Sequence, residues 1–366
     1  MKDNDLRDYI ALWSIPGIGS ITARKLIAYA GNVQNIFDLK SDELNKIPGI
    51  GPKLVSTISN KEHYKRADEE LDYIEKYGIK ATTIHDTDYP YRLKQCEDAP
   101  LILFTKGKPI DDSKKYVAIV GTRNASQYGK NFCERLIGDL KDKGHDIVII
   151  SGLAYGIDIT SHKIANKLEI PTYGVLGHGL NTIYPPSHRD VATEMLKQGG
   201  LITEFMHTMF PDKNNFVRRN RIIAGLCDAT IVVESDIRGG SLITANLANS
   251  YSRDVFAVPG RINDKNSLGT NKLIKSNKAA LIESVADLEY IMGWDASSKP
   301  KQKTLFQEFT DDENIVMNLF NTNEELNIDT ICRSSGMKMA KVSAILLNLE
   351  FKDAVKCLPG KVFYKT

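Results

Sequence analysis

The chain predicts an α/β fold: a mostly parallel sheet covered on both faces by helices, preceded by a small helical module and followed by three helices and a hairpin. Three observations carry that prediction. Between residues 111 and 295, short β-branched apolar runs alternate with amphipathic stretches. Two near copies of one turn, Ile15-Pro16-Gly17-Ile18-Gly19 and Ile47-Pro48-Gly49-Ile50-Gly51, punctuate the first 65 residues. A polar stretch from Ala296 separates the α/β region from a terminal segment with short helical periods. At 366 residues the chain is too long for one ordinary domain. The expected division is a helical module over 1–65, an extension of the core over 66–110, the α/β domain over 111–295, a linker over 296–305 and a terminal domain over 306–366.

In the α/β region, apolar runs bounded by turn residues place strands at 116–120, 147–151, 172–176, 201–204, 230–234, 255–258 and 280–282. Helical patterns fill 128–143 and 157–168. The segment 66–110 is expected to add a helix and edge strands. Beyond the linker, 314–320, 328–334 and 338–349 read as helices, and 354–357 with 361–364 as a hairpin around Pro359-Gly360. That order is the winged-helix order. Residues 333–366 carry seven Lys or Arg against Glu350 and Asp353, so duplex DNA or a protein surface is the expected contact.

In the amino-terminal module each Pro-Gly-x-Gly turn precedes a helical pattern, at 23–30 and 53–58. Glycine accepts positive φ and proline pre-sets its own torsion, so the chain bends sharply and leaves N–H groups at the next helix start. The pair resembles a tandem helix-hairpin-helix module, a type that holds nucleic-acid backbones without reading bases. Gly17, Gly19, Gly49, Gly51 and Lys53 are the auxiliary candidates for DNA contact; the competing reading is a protein-docking surface.

Composition narrows the class. Forty-eight Lys and Arg against 46 Asp and Glu give a net charge of +2. Yet residues 211–221 alone reach +3, from Lys213, Arg218, Arg219 and Arg221 against Asp212. Focused basicity points to a docking site for anions. No run of 18 apolar residues occurs and the amino terminus lacks a signal-peptide pattern, so a cytoplasmic protein with no membrane partner is expected. The five cysteines are scattered without a Cys-x-x-Cys pair, which supports neither disulfides nor zinc. His162, His178, His188 and His207 show no metal-ligand spacing, and each is expected to be a satisfied polar residue.

Four segments fall where strands end: Gly121-Thr122-Arg123, Ser151-Gly152 with Asp158 beyond it, Gly177 to Pro185, and Arg238 with Gly240-Ser241. Such turns in an open parallel sheet line a ligand crevice. The Gly-x-Gly-x-x-Gly dinucleotide fingerprint and the Walker A pattern are missing, so no cofactor is expected.

Taken together, Gly-Thr-Arg (121–123), Ser-Gly-Leu-Ala-x-Gly-Ile-Asp (151–158), Gly-x-Gly-Leu-x-x-Ile-Tyr-Pro (177–185), Arg-Asn-Arg-Ile-Ile-Ala-Gly-Leu (219–226), Gly-Ser-Leu-Ile-Thr-Ala (240–245), Ala-Val-Pro-Gly (257–260) and Gly-Thr-Asn-x-Leu-Ile (269–274) strongly resemble the DprA/Smf family of DNA-processing proteins. The resemblance spans nearly the whole chain. It implies a Rossmann-like domain that binds single-stranded DNA, forms a homodimer through its carboxyl-terminal half and passes the strand to the RecA recombinase in natural transformation. Carried over by position, the family's phosphate pocket falls on Gly121, Thr122, Arg123, Ser151, Gly152, Arg219, Asn220, Arg221, Arg238, Gly240 and Ser241. Two positions depart from the pattern. Gly239 stands where many members have serine, and Ser276-Asn277-Lys278 where the family usually has a glycine-alanine pair.

Two readings compete with a non-catalytic DNA-binding protein. One is a nucleotide N-glycosidase of related fold, but aligning its Gly-Gly-x-Gly-Thr-x-x-Glu loop at Gly239 puts Asn246 at the catalytic glutamate. Glu204 and Glu234 are the remaining acids near the rim, and Glu234 is expected to orient an arginine. The other reading is an interaction hub whose helical ends dominate.

Overall fold

A computed structural model describes residues 3–60, 62–294, 309–320, 325–352, 354–358 and 361–365. The expected linker, 296–305, and the Pro359-Gly360 turn lie outside the described residues. The chain divides into two compact units, Met1–Ser297 and Ser298–Thr366. The helical module and the α/β core therefore belong to one unit.

The module comprises α1 (Asp3–Trp13), α2 (Ser20–Ala30), α3 (Val33–Asp38), α4 (Ser41–Leu44) and α5 (Pro52–Ile58). The two repeated turns adopt matching backbones, with φ of +91° at Gly17 and +89° at Gly49. Gly19 and Gly51 then cap α2 and α5 in extended conformation. A side chain at Gly17 or Gly49 would force the left-handed region on a residue with a Cβ, which explains why the repeat keeps glycine there. α6 (Glu62–Tyr77) leads into the core.

The core is a nine-stranded sheet of order β1-β2-β6-β5-β4-β3-β7-β8-β9. Its strands are β1 (Lys80–Thr83), β2 (Ile102–Gly107), β3 (Lys115–Val120), β4 (Ile147–Ser151), β5 (Thr172–Val175), β6 (Gly200–Thr203), β7 (Ala229–Val232), β8 (Asp254–Ala257) and β9 (Ala280–Leu281). From β6 to β9 every neighbouring pair is parallel, and β1 and β2 add an antiparallel edge. The order turns back at β3: β4, β5 and β6 extend on one side of it, β7, β8 and β9 on the other. Crevices for ligands open at such a switch, outside the carboxyl ends of the strands.

Alternation along β3 assigns the two faces. Tyr116, Ala118 and Val120 join one buried cluster with residues of the amino-terminal module and with Ile222 and Ala245. Val117 and Ile119 join another with Phe132, Leu136, Ile157 and Leu288. The short α7 (Tyr91–Lys94) precedes β2, the crossovers are α8 (Gln127–Asp142), α9 (Ile157–Lys167), α10 (Arg189–Met195), α11 (Lys213–Leu226), α12 (Gly240–Ser250) and α13 (Leu268–Lys275), and α14 (Val285–Met292) follows β9. The inner parallel strands, β3 to β7, are buried on both faces, which is why their sequences read as continuous apolar runs, whereas the edge strand β9 is left partly exposed.

The terminal unit is α15 (Asp311–Leu319), β10 (Glu325–Asn327), α16 (Ile328–Ser335), α17 (Met339–Phe351), β11 (Val355–Leu358) and β12 (Val362–Lys365). β12 lies between β10 and β11, antiparallel to both. Val316, Ile331, Val342, Leu346, Leu349 and Val355 form its core. This is a winged helix, with β10 as a third strand that the sequence reading did not anticipate. No described helix is long and apolar enough to cross a membrane.

Candidate nucleic-acid interface

A cleft of 580 Å³ opens at the switch, between the loop after β3, the start of α12 and the flank of α11. The helix boundaries explain how it is built. Asp212 caps α11 by accepting from the Asn214 N–H at 2.8 Å, which starts the helix at Lys213 and turns Lys213, Phe216, Val217, Arg219, Asn220 and Ile223 toward the cleft. α12 begins without a side-chain cap at Gly239. The N–H groups of Gly240 and Ser241 have no acceptor among the described residues, so the positive end of α12 is left open toward the cleft.

Of the residues expected from sequence, Gly121, Thr122, Arg123, Arg219, Asn220, Gly240 and Ser241 line this cleft together. Gly152 supports it from behind. A Cβ on Gly152 would overlap the Arg219 guanidinium and come within 2.6 Å of Asp158 Oδ2, so only glycine lets these two charged groups lie over this backbone. The Gly152 N–H donates to that carboxylate at 3.1 Å. Arg219 is almost fully buried and donates to the Val175 carbonyl at 2.5 Å, while its Nε finds no partner. Burial pulls its pKa down to about 10, Asp158 opposes the fall, and the charge on Arg123 adds to it. Asp158 shifts upward, because burial outweighs Arg219 and the N–H groups of Ala154 and Gly152. The guanidinium stays charged at neutral pH with less counter-charge than its burial calls for, a condition that an incoming phosphate relieves.

The remaining expected residues are not brought into the cleft. Ser151, the last residue of β4, is fully buried and its hydroxyl donates to the Ile119 carbonyl of neighbouring β3 at 2.6 Å. Arg221 is buried against Glu204, donating to Oε2 at 2.5 Å and also to the Asp98 carbonyl. Glu204 takes Arg218 as well, at 2.9 Å. Arg238 is exposed in the loop before α12, outside the cleft lining, and has no ion pair among the described residues. The acid that orients arginines is thus Glu204. Glu234 instead accepts from the Ser126 N–H at 2.9 Å and its hydroxyl at 2.5 Å, fastening the start of α8.

His178 and His188 bond to backbone carbonyls and His207 to Glu70, as satisfied polar residues, but His162 bonds to the Thr172 hydroxyl through Nδ1 alone and its Nε2 is buried without a partner, against the expectation. Among the described residues no group of His, Cys, Asp or Glu is placed to hold a metal ion. In the amino-terminal module Lys53 is exposed, but Arg24 donates to the carbonyls of Cys96, Glu97 and Ala99 and so docks α2 on the core. Trp13, at the end of α1, donates to the Glu204 carbonyl at 2.7 Å and lies 5.2 Å under the Arg218 guanidinium.

The sequence reading missed the apolar side of the cleft. Tyr184, half exposed, stacks on Phe216 with ring centroids 5.6 Å apart and planes 29° from parallel. The signal was present in the motifs themselves, since a tyrosine before proline and a phenylalanine three residues ahead of the Arg-Asn-Arg series both flank the phosphate-type residues. Lys213, which sequence marks only as a charge, also lines the cleft.

Fold and cleft define a Rossmann-like α/β protein with a cationic strand-end cleft, carrying a helix-hairpin-helix module before the core and a winged helix after it. Comparison with known proteins fixes the family. Residues 80–292 match the family model for DNA recombination-mediator protein A, 299–361 that for the DprA winged helix domain and 9–60 that for the SAM-like helix-hairpin-helix tandem. Protein Smf of Escherichia coli is 35% identical over 307 residues, 81% of this chain and 80% of that protein. DNA processing protein DprA of Bacillus subtilis is 39% identical over 219 residues, 60% of this chain and 73% of that one. The X-ray structure of DprA from Streptococcus pneumoniae superposes with a TM-score of 0.66 at 33% identity, covering 77% of this chain and 97% of that one. DNA processing protein A of Helicobacter pylori, described for its single-stranded DNA binding mode, gives 0.51 at 29% identity, covering 58% and 95%. The chain belongs to the DprA/Smf family of DNA-processing proteins.

Proposed function

We propose that this chain binds single-stranded DNA non-catalytically, with phosphates of the strand held in the cleft by Arg123, Lys213 and Arg219 and by the open N–H groups of Gly240 and Ser241. The observation that carries the reading is Arg219, buried with its Nε unpartnered and a carbonyl as its one hydrogen-bond acceptor among the described residues, in the same cleft as the uncapped end of α12. Bases stack on Tyr184 and Phe216, a sequence-tolerant contact. Phosphate contacts hold the strand without reading it. The single-stranded DNA binding described for the Helicobacter pylori relative supports the same ligand class. Following the family resemblance, we extend the role to protection of incoming strands by a homodimer and their transfer to RecA recombinase.

Binding is favoured over catalysis because the carboxylates at hand are already engaged, including Asp236 in the cleft lining, which accepts from the Ile237 N–H at 2.6 Å and pairs with Lys265 at 3.5 Å. Asp158 accepts backbone N–H groups, Glu234 holds Ser126, and Asn246, at the glycosidase position, accepts from Lys278 at 3.3 Å on an exposed surface. Titration of a labelled single strand against the protein and its Lys213→Ala and Arg123→Ala variants at several salt concentrations tests the proposal. The expected result is weaker binding on every sequence, with the log–log salt slope lower by about 0.7 for each contact removed. Unchanged slopes in both variants would remove the cleft from the binding path.

A further inference from the structure

A second groove, of 590 Å³, lies beyond the Gly121–Arg123 loop from the first cleft. Arg123 belongs to both. Lys130 reaches the groove from the first turn of α8, Thr160 and Lys163 from α9, and Tyr155 and Gly156 from the loop after β4. No carboxylate lines it among the described residues.

The cations there are uncompensated, unlike others on the same helices. Lys141 of α8 donates to the Leu168 carbonyl at 2.7 Å, and Lys167 of α9 pairs with Glu134 at 3.9 Å. Arg123, Lys130 and Lys163 have no ion pair and no side-chain hydrogen bond among the described residues. Three like charges gathered in one concavity repel one another, and an anion seated among them removes that cost. Tyr155 supplies the aromatic partner. Its ring is half exposed, held edge-on against His188 at 4.8 Å, with its hydroxyl 3.4 Å from Ser187 Oγ, so a face stays open for stacking.

We infer that the nucleic-acid strand continues past Arg123 into this groove, where Lys130 and Lys163 hold the phosphates of the adjoining nucleotides and Tyr155 stacks one base. The inference rests on the phosphate-binding reading of the first cleft. A polymer is favoured over a small anion because two grooves, each with cations and an aromatic ring, are joined through one arginine: Tyr184 and Phe216 serve the first, Tyr155 the second. Repetition of the same cation-and-ring arrangement along one path fits a chain of nucleotides.

The experiment uses the full chain, with oligothymidylates of about 4 and about 16 nucleotides, bracketing the usual site sizes of single-strand binders. Lys130→Gln and Lys163→Gln together should weaken the long oligomer and lower its salt slope by about 1.4, two contacts at roughly 0.7 each, while the short oligomer binds as before. Tyr155→Ala should weaken the long oligomer with its salt slope unchanged. Both lysines are exposed, so the double variant keeps the fold, which circular dichroism verifies. The inference is overturned if long and short oligomers lose affinity equally, since the lysines then act only through a general field. It is also overturned if neither changes, or if a nucleoside triphosphate competes away the lysine-dependent part alone, which would make the groove a small-anion site. Failure of the wild type to bind either oligomer is a different result: it removes the first cleft's role, and this inference with it.

Discussion

Arg219 and Arg221 stand two residues apart on α11, both buried, and meet opposite electrostatic fates. Two residues are about 200° around a helix, so the side chains face away from each other. Arg221 meets Glu204, which arrives from the end of β6 and also takes Arg218, while the Asp98 carbonyl fills another donor. Arg219 meets Asp158 across Gly152 and one carbonyl, keeps an unpartnered Nε, and shifts down in pKa. Charge compensation separates the structural arginine from the one proposed to meet a ligand. The one whose charge is fully answered by protein fastens the chain, and the one left short faces a ligand cleft.

The widest gap between the two should appear on breaking the structural side. Arg221→Ala leaves Glu204 buried with only the half-exposed Arg218 as counter-charge, and removing one partner of a buried pair costs about 3–5 kcal/mol. Urea unfolding of the α/β unit should show that loss, whereas single-strand affinity of the protein that remains folded should hardly move. A large drop in affinity with unchanged stability would reverse the assignment.

The next effect acts on the ligand side through packing alone. Gly152→Ala drives a methyl group into the Arg219 guanidinium, and overpacking of this kind costs about 1–3 kcal/mol. Here stability and DNA affinity should fall together, because displacing the guanidinium removes it from the cleft. Loss of stability with full affinity would mean that Arg219 is not a phosphate ligand.

Sequence made the sheet legible and the site only in part, for a physical reason that these residues show. A strand buried on both faces writes its own pattern, so the run expected at 116–120 is β3 at Lys115–Val120, and 147–151 is β4. β10, three residues long, has no room for a pattern. The cleft residues Gly121 to Arg123, Arg219 and Gly240 follow from turns at strand ends. What sequence left unseparated was Arg219 from Arg221, since the choice is made by Glu204 and Asp158, which tertiary folding delivers from distant elements. In the same way Ser151 sits inside a motif that reads as phosphate-binding, yet its hydroxyl is spent on Ile119. Departure of Gly239 from serine also has a local cause: a Cβ there would overlap the Ser235 hydroxyl, which already accepts from Ser241 at 2.9 Å.

The smallest effect comes from His162, buried beside Arg219. Thr172 gives its only hydroxyl proton to the Ile149 carbonyl, so His162 Nδ1 is the donor to Thr172 Oγ1 at 2.7 Å and Nε2 is left bare and buried. Burial, then the charge of Arg219, then that of His188, pull its pKa from 6.5 down to about 3. Between those values the unfolded chain takes up a proton that the folded protein refuses, so stability rises with pH in this window and is lost as pH falls below 6.5, by at most about 1.4 kcal/mol per pH unit. The upward shift of Asp158 acts in the opposite sense, since a proton held more tightly in the folded state favours folding at low pH, but it is common to wild type and variant. Urea unfolding of His162→Gln from about pH 7 to about pH 5 should therefore show a shallower decline than wild type, with the difference opening only below pH 6.5. Parallel declines would mean that the histidine gains its proton in the folded state without penalty.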